Sequence, residues 1–202
     1  MILHWSPKSP FVRKVMVAAH EKGLTERLEL VRNPVAMTKP NAELMRVNPL
    51  SKLPTLELPD GVVLQDSGVI CAYLDALEDP PTLFPVAGRA RWQTAARHAL
   101  VNGLLEVLVL LRNERERPDG ARSQPHIDAF EIKKAATLRE IASWPPEPCG
   151  QTIDIVQIST GCLLGYLDFR YADEDWRGTY PALGEWYETF AARPSAIATR
   201  PS

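Results

Sequence analysis

Cysteine is scarce in this chain of 202 residues, which has only Cys71, Cys149 and Cys162. The number is odd, no two form a CxxC pair, and none stands at metal-ligand spacing from a histidine. Neither a disulfide framework nor a zinc or other metal site is expected; reduced thiols in a cytosolic protein are. An excess of charge of either sign is also missing. There are 23 Lys and Arg against 25 Asp and Glu, for a net charge of −2 and a pI of about 6.1. That balance argues against nucleic acid or an anionic membrane surface as the main partner. No apolar run approaches the roughly 20 residues that a membrane span needs. The apolar start, MILHW, is too short for the core of an export signal, and Pro7 and Lys8 interrupt it. Internal repeats and low-complexity tracts are absent. The expectation is a soluble cytoplasmic protein.

What is present is enough apolar material for a core, 45% of residues, in a length that suits one large domain or two small ones. The first 80 residues alternate strand-like and helical runs. ILHW reads as a strand. FVRKVMVAAHEKG places Val12, Val15, Met16 and Ala19 on one helical face, with Gly23 as C-cap. RLELV alternates like a strand, NAELMRV is a short helix, and TLEL and VVL flank PDG, a hairpin signal. DSGVICAYLDAL opens with cap residues and runs as a helix. The order β-α-β-α-β-β-α makes a small mixed sheet with helices on its faces. Pro80, Pro81 and Pro85 then mark a break. From Arg89 to about Arg115 the residues Trp92, Ala95, Ala96, Ala99, Leu100, Gly103, Leu104, Val107, Leu108 and Leu111 follow helical spacing. A second helix is expected over 123–142, a loop at WPPEPCGQ, a centrally buried helix in TIDIVQISTGCLLGYLDF, and a last helix from Thr179 and Pro181 that stops before Pro194. The domains are therefore residues 1–79, a linker at 80–87, and an all-helical 88–202.

Three stretches of the α/β half carry candidate chemistry. Ser9 ends a strand-to-helix loop, so its hydroxyl sits at a helix N-terminus, where unpaired N–H groups favour an anion; it is equally a preferred N-cap. In NPLSKLPTLEL, Pro54 precedes a strand. It reads either as an edge-strand proline or as a cis residue that turns the Leu53 backbone outward to pair with an extended peptide. In QDSGVI, Asp66 and Ser67 open a helix. They are either a plain cap or a pair that holds an amino-acid head group, Ser67 and nearby N–H groups taking the carboxylate and Asp66 the ammonium.

SPFVRK, NPLSKLPTLEL and QDSGVICAYL in that order resemble the thioredoxin-like domain of cytosolic glutathione transferases, particularly serine-type bacterial members. RARWQTAARHALVNGLLEVLVLLRNERERP resembles the long first helix of that family's C-terminal domain, and GYLDFRY its buried helix, so the likeness covers nearly the whole chain. It implies an α/β thioredoxin-like domain followed by an all-α helical bundle. It also implies a homodimeric enzyme of detoxification, with glutathione as co-substrate and a small hydrophobic electrophile. Asp66 and Ser67 would hold the γ-glutamyl amine and carboxylate, Leu53 before a cis Pro54 the cysteinyl backbone, and Lys52 with Lys39 the glycyl carboxylate. Ser9 would donate a hydrogen bond to the glutathione sulfur, with Ser6 as its competitor. The electrophile pocket would lie near Pro7, Lys8 and Phe11 and the start of the long helix, with Trp5, Arg97 and Asn102 lining it. The rival reading keeps the fold as a binding or regulatory protein with little turnover. Redox relatives carry Cys where this chain has Ser9, so thiol–disulfide exchange through residue 9 is excluded.

The chain departs from the family at QTID, where Gln151 stands in place of the usual Ser or Thr cap; Thr152 is expected to shift the cap by one, with Asp154 as a first-turn acid or cap partner. Cys71 reads as a small core residue, His4 as a packed strand residue, Arg13 as a partner within its own domain, and RNERER as a solvated helix end.

Overall fold

The computed structural model describes residues 1–78, 83–144 and 149–202. The N-terminal half runs β1 (Ile2–Trp5), α1 (Pro10–Glu21), β2 (Glu29–Arg32), α2 (Ala42–Met45), β3 (Thr55–Glu57), β4 (Val63–Leu64) and α3 (Ser67–Ala76), the expected order. The strands form one mixed sheet, β2-β1-β3-β4. The strands joined through α1 run parallel, with Leu3 opposite Leu30. β3 is antiparallel to β1, with His4 opposite Thr55, and to β4, with Leu56 opposite Leu64. The hairpin turns at Gly61, whose φ of +87° glycine adopts without strain, while the Asp60 carboxylate accepts the Val62 N–H at 3.1 Å. His4 packs as expected, and both ring nitrogens are paired: Nδ1 with Asn33 Oδ1 at 2.8 Å and Nε2 with Glu57 Oε1 at 2.7 Å.

The second half is helical: α4 (Gly88–Arg115), α5 (Gln124–Ser143), α6 (Ile155–Arg170), α7 (Trp176–Thr179), α8 (Pro181–Ala191) and α9 (Pro194–Ala198). Pro80 and Pro81, where the expected linker opens, and residues 145–148 of the expected loop lie outside the described residues. Every residue from Ile155 to Leu167 is buried, so α6 is the central helix that its all-round apolar sequence predicts. Burying each such Leu or Ile contributes about 1.5–3 kcal/mol.

Several expectations are corrected. The α6 cap is Asp154 itself, not Gln151 or Thr152. Its carboxylate accepts the Gln157 N–H at 2.8 Å while the Gln157 side chain accepts the Asp154 N–H at 2.9 Å, a reciprocal box. On α4 the buried residues are Val101, Leu104, Leu105, Leu108 and Leu111, whereas Trp92 is 72% exposed. The helix is embedded only from Val101 onward, where it packs on α5 and α6; no residue from 88 to 100 is fully buried. The apolar-run expectation also needs correcting for α4. Among the described residues it is the one helix long and apolar enough to cross a membrane by length and composition, with a window of mean hydropathy 1.4. Single polar residues break its continuity without lowering the average enough. Arg115, within RNERER, is not merely solvated: it bridges to Glu131 on α5 at 2.5 Å and to Glu174 at 2.9 Å. The helix from Pro181 stops at Ala191, before Pro194 as expected, but it is not the last: Pro194 opens α9, where its missing N–H costs nothing.

α1 holds the halves together. Val12, Val15 and Ala19 are buried as predicted, Met16 only partly, and Arg13, Lys14, Val17 and Ala18 are buried as well. The helix packs on α3 and on α6 and α9, and Arg13 and Lys14 lie buried within that packing. Arg13 is therefore a partner between the halves rather than within one. Its guanidinium donates to the Ala196 carbonyl at 3.4 Å and stands 5.9 Å from the Phe190 ring centroid.

Candidate active site

The sheet register brings the three candidate stretches to one edge. His4 opposite Thr55 sets the loop that leaves β1 toward Ser9 beside the Leu53–Pro54 entry to β3. Leu56 opposite Leu64 sets Asp66, two residues past β4, beside Pro54. β1 and β4 both end at this edge, so α1 and α3 begin there and point their N-termini at it, where partial positive charge and unpaired N–H groups concentrate.

Ser9 is the N-cap of α1, half-buried, with its Oγ accepting the Val12 N–H at 3.3 Å. A hydroxyl that accepts still has its own proton to donate. The Ser9 N–H donates to the Ser6 carbonyl at 3.2 Å, closing a turn, and Ser6 Oγ accepts the Lys8 N–H at 3.4 Å. The Leu53–Pro54 bond is cis, and the Leu53 side chain is buried with Val12 and Leu44. A lock that the sequence reading missed holds this segment. Asn48, 1% exposed, donates to the Lys52 carbonyl at 3.3 Å and to Thr55 Oγ1 at 2.9 Å, and the Thr55 hydroxyl donates to the same carbonyl at 2.9 Å. The signal was the Asn48-Pro49 turn. Lys39 and Lys52 are exposed, Lys39 in a turn between β2 and α2. Asp66 is the N-cap of α3, Oδ1 accepting the Gly68 N–H at 2.8 Å and the Val69 N–H at 3.4 Å. The Gln65–Asp66 bond is also cis, and Ser67 is 1% exposed.

Behind this edge lies a polar cluster that sequence reasoning also missed. Lys14, fully buried on α1, reaches α4, with Nζ 3.1 Å from His98 Nε2 and 2.6 Å from Asn102 Oδ1. Burial lowers the Lys14 pKa, opposed by Cys71 and Asp66. Burial, with help from the Lys14 charge and against Asp66, pushes His98 down to about 4. The two buried thiols are out of play: burial pushes Cys71 up to about 12 and Cys162 up to about 11.

The four residues named for an electrophile pocket divide between the two halves, two in the α/β half and two on α4. Trp5 and Phe11 are half-buried in the α/β half, Trp5 against the Leu53 cluster. Arg97 stacks over Trp144, 4.8 Å from the ring centroid, and Asn102 holds Lys14.

Two family models match the chain, one within each half. The N-terminal domain of glutathione S-transferases matches residues 8–77, and the C-terminal domain matches 124–189. The chain belongs to the glutathione S-transferase family. The first match contains Ser9, Lys39, Lys52, Leu53, Pro54, Asp66 and Ser67; the second runs from the start of α5 into α8. A family member from Pseudomonas fluorescens Pf-5, solved with bound glutathione, is 39% identical with a TM-score of 0.95, covering 100% of this chain and 98% of its own. A transferase from Methylobacillus flagellatus KT, solved with glutathione bound, is 33% identical with a TM-score of 0.88, covering 100% and 99%. The uncharacterized GST-like protein YibF of Escherichia coli K12 is 27% identical over 203 residues, 100% of this chain and 98% of that protein.

Proposed function

We propose that this member of the glutathione S-transferase family binds glutathione at the edge formed by α1, β3 and α3 and activates its thiolate for attack on a small hydrophobic electrophile. The observation that carries the reading is Ser9: its Oγ accepts the α1 cap bond at 3.3 Å and so has an O–H to give to a sulfur at that helix N-terminus. Asp66 takes the γ-glutamyl ammonium, and Ser67 with the first N–H groups of α3 takes its carboxylate. Leu53 pairs with the cysteinyl backbone, while the exposed Lys52 and Lys39 face the glycyl carboxylate. The glutathione held by the Pseudomonas and Methylobacillus relatives supports binding. Proton transfer is from the glutathione thiol to solvent, and the hydroxyl stabilises the thiolate that remains. Trp5 and Phe11 are retained beside the sulfur position, with the electrophile meeting them from the helical half.

The reading includes a 1–79 glutathione domain, an 80–87 linker and an 88–202 helical domain, a cytoplasmic role in detoxification, and a homodimer. Trp92 and Leu100 support the dimer: both are exposed apolar side chains on the stretch of α4 before Val101, where no residue is fully buried. A second reading, a glutathione-holding protein with little turnover, is favoured by the same cap bond, which gives Ser9 a structural task. Calorimetric titration with glutathione, followed by turnover with a chlorinated nitrobenzene, tests both. Binding that Ser67→Ala weakens about tenfold, together with turnover, supports the first. Binding without turnover supports the second, and no binding refutes both.

A further inference from the structure

Lys14 is an expensive residue to keep where it is. It is fully buried between the halves, and an ammonium taken out of water costs several kcal/mol that an apolar side chain of similar length would not. Simple packing of α1 on α4 does not require it. Its hydrogen bonds show what the charge does. Taken as the ammonium, which has donors only, Lys14 donates to both His98 Nε2 and Asn102 Oδ1. The Asn102 amide is oriented for this, because its Nδ2 donates to Glu106 Oε1 at 3.2 Å. His98, accepting at Nε2, carries its proton on Nδ1. That ring lies against the first turn of α3. A Cβ built on Gly68 would sit 3.0 Å from His98 Cε1, 3.9 Å from Nδ1 and 3.2 Å from Asp66 Oδ1. The protonated edge of His98 and the carboxylate of Asp66 thus flank one glycine, where an added Cβ would need both to give by a few tenths of an ångström. Phe84 closes the other side of the ring, edge-on with centroids 6.0 Å apart. The charged and titratable groups acting on Lys14 are Cys71, Asp66, Cys162 and Glu106, besides His98 itself.

We propose that Lys14 and His98 are positioning residues for the ligand's α-ammonium: Lys14 on α1 orients the His98 ring of α4, and His98, reaching over from the helical half, fixes Asp66 on the first turn of α3. The proposal rests on the assignment of Asp66 and Ser67 to the γ-glutamyl head group. It makes recognition in the α/β half depend on a side chain of α4, a helix that neither family model matches.

The test is calorimetric titration of the full chain with glutathione and with its desamino analogue, in which hydrogen replaces the γ-glutamyl amine. The proteins are wild type, Lys14→Met and His98→Ala, with a thermal melt of each. Wild type is expected to prefer glutathione. Both substitutions are expected to weaken glutathione about tenfold and the desamino analogue less than about twofold, since only the amine uses Asp66. A merely structural role lowers the melting temperature and weakens both ligands equally; that result, or no change with either, overturns the proposal while leaving glutathione binding intact. Wild type that binds the two ligands equally takes Asp66 off the ammonium and overturns it as well. Wild type that binds neither overturns the proposed function itself. Should Lys14→Met not fold, His98→Ala carries the same comparison.

Discussion

Replacing Ser9 with Ala removes one oxygen and tests two jobs at once. The cap bond it makes is long, 3.3 Å from the Val12 nitrogen, so its loss belongs at the low end of cap substitutions, about 0.5–1 kcal/mol. The second job is worth more. A free thiol ionises near a pKa of about 8.5, and lowering that by two units takes about 2.7 kcal/mol of preferential thiolate stabilisation. A hydroxyl donating to the anion supplies roughly 1.5–3 kcal/mol, and the N-terminus of α1 adds about 0.3–1. In the Ala variant the helix contribution survives and the hydroxyl's does not. The bound thiol should therefore rise by about 1–2 pKa units, and at pH near 6.5 the thiolate should fall from about half of the bound ligand to less than about a tenth. Ultraviolet absorbance of the thiolate against pH, at saturating glutathione, reads this directly. Ser9→Thr keeps a hydroxyl and should stay close to wild type. The reasoning is refuted if Ser9→Ala binds glutathione with an unchanged thiol pKa and loses only stability. Ser9 is then a cap, and the binding-protein reading takes over.

Three further outcomes follow from the packing. Gly165→Ala should destabilise by about 2 kcal/mol or more in urea, because its Cβ would overlap the Arg13 guanidinium and lie 2.7 Å from Tyr187 Oη; an unchanged midpoint would mean that the contact between the halves is slack. Glu21 accepts from Arg193 at 2.9 and 2.7 Å and from Ser195 at 2.5 Å. Burial raises its pKa, but the bonds from Arg193 and Ser195 and the Arg193 charge more than offset this, leaving it lowered from 4.5. A depressed carboxylate stabilises the fold above its unfolded pKa and loses that contribution as pH falls through the folded value. Glu21→Gln should thus cost about 2 kcal/mol at pH 7 and progressively less below about pH 4.5, as urea unfolding across pH 3–7 would show. Burial raises the Asp154 pKa despite backbone bonds that lower it, so its ionisation opposes folding as pH rises past the unfolded value of 3.8 and does so in full above the folded value. Asp154→Asn, which keeps an acceptor for Gln157, should be near neutral at pH 7, whereas Asp154→Ala should lose about 1–2 kcal/mol; equal losses would place the value in the charge.

The order of elements and the site edge were legible for the same reason: both are written in short-range terms. Period-2 runs, a period-3.6 run after a cap residue, PDG in a hairpin and cap residues at Ser9 and Asp66 are local, and the register of β1, β3 and β4 then has one way to bring them together. What was not legible was long-range and polar. Arg13 read as a partner within its own domain and Lys14 drew no reading, because nothing within ten residues tells a helix that it will be packed against both halves. The α4 stripe holds at Leu104, Leu108 and Leu111 and fails before Val101, because its sequence is apolar on more than one face and only the positions of α5 and α6 decide which face is covered. The Asp154 box was readable as D-x-x-Q and lost to the expectation of a Ser or Thr three residues earlier. The buried cations are the instructive case. Patterning places apolar residues inside because that is where the free energy of transfer sends them. A buried Lys14 violates that pattern, so its position is set by its partners, His98 and Asn102, 84 and 88 residues away. Such violations concentrate where a fold does chemistry, and this one adjoins the turn that presents Asp66.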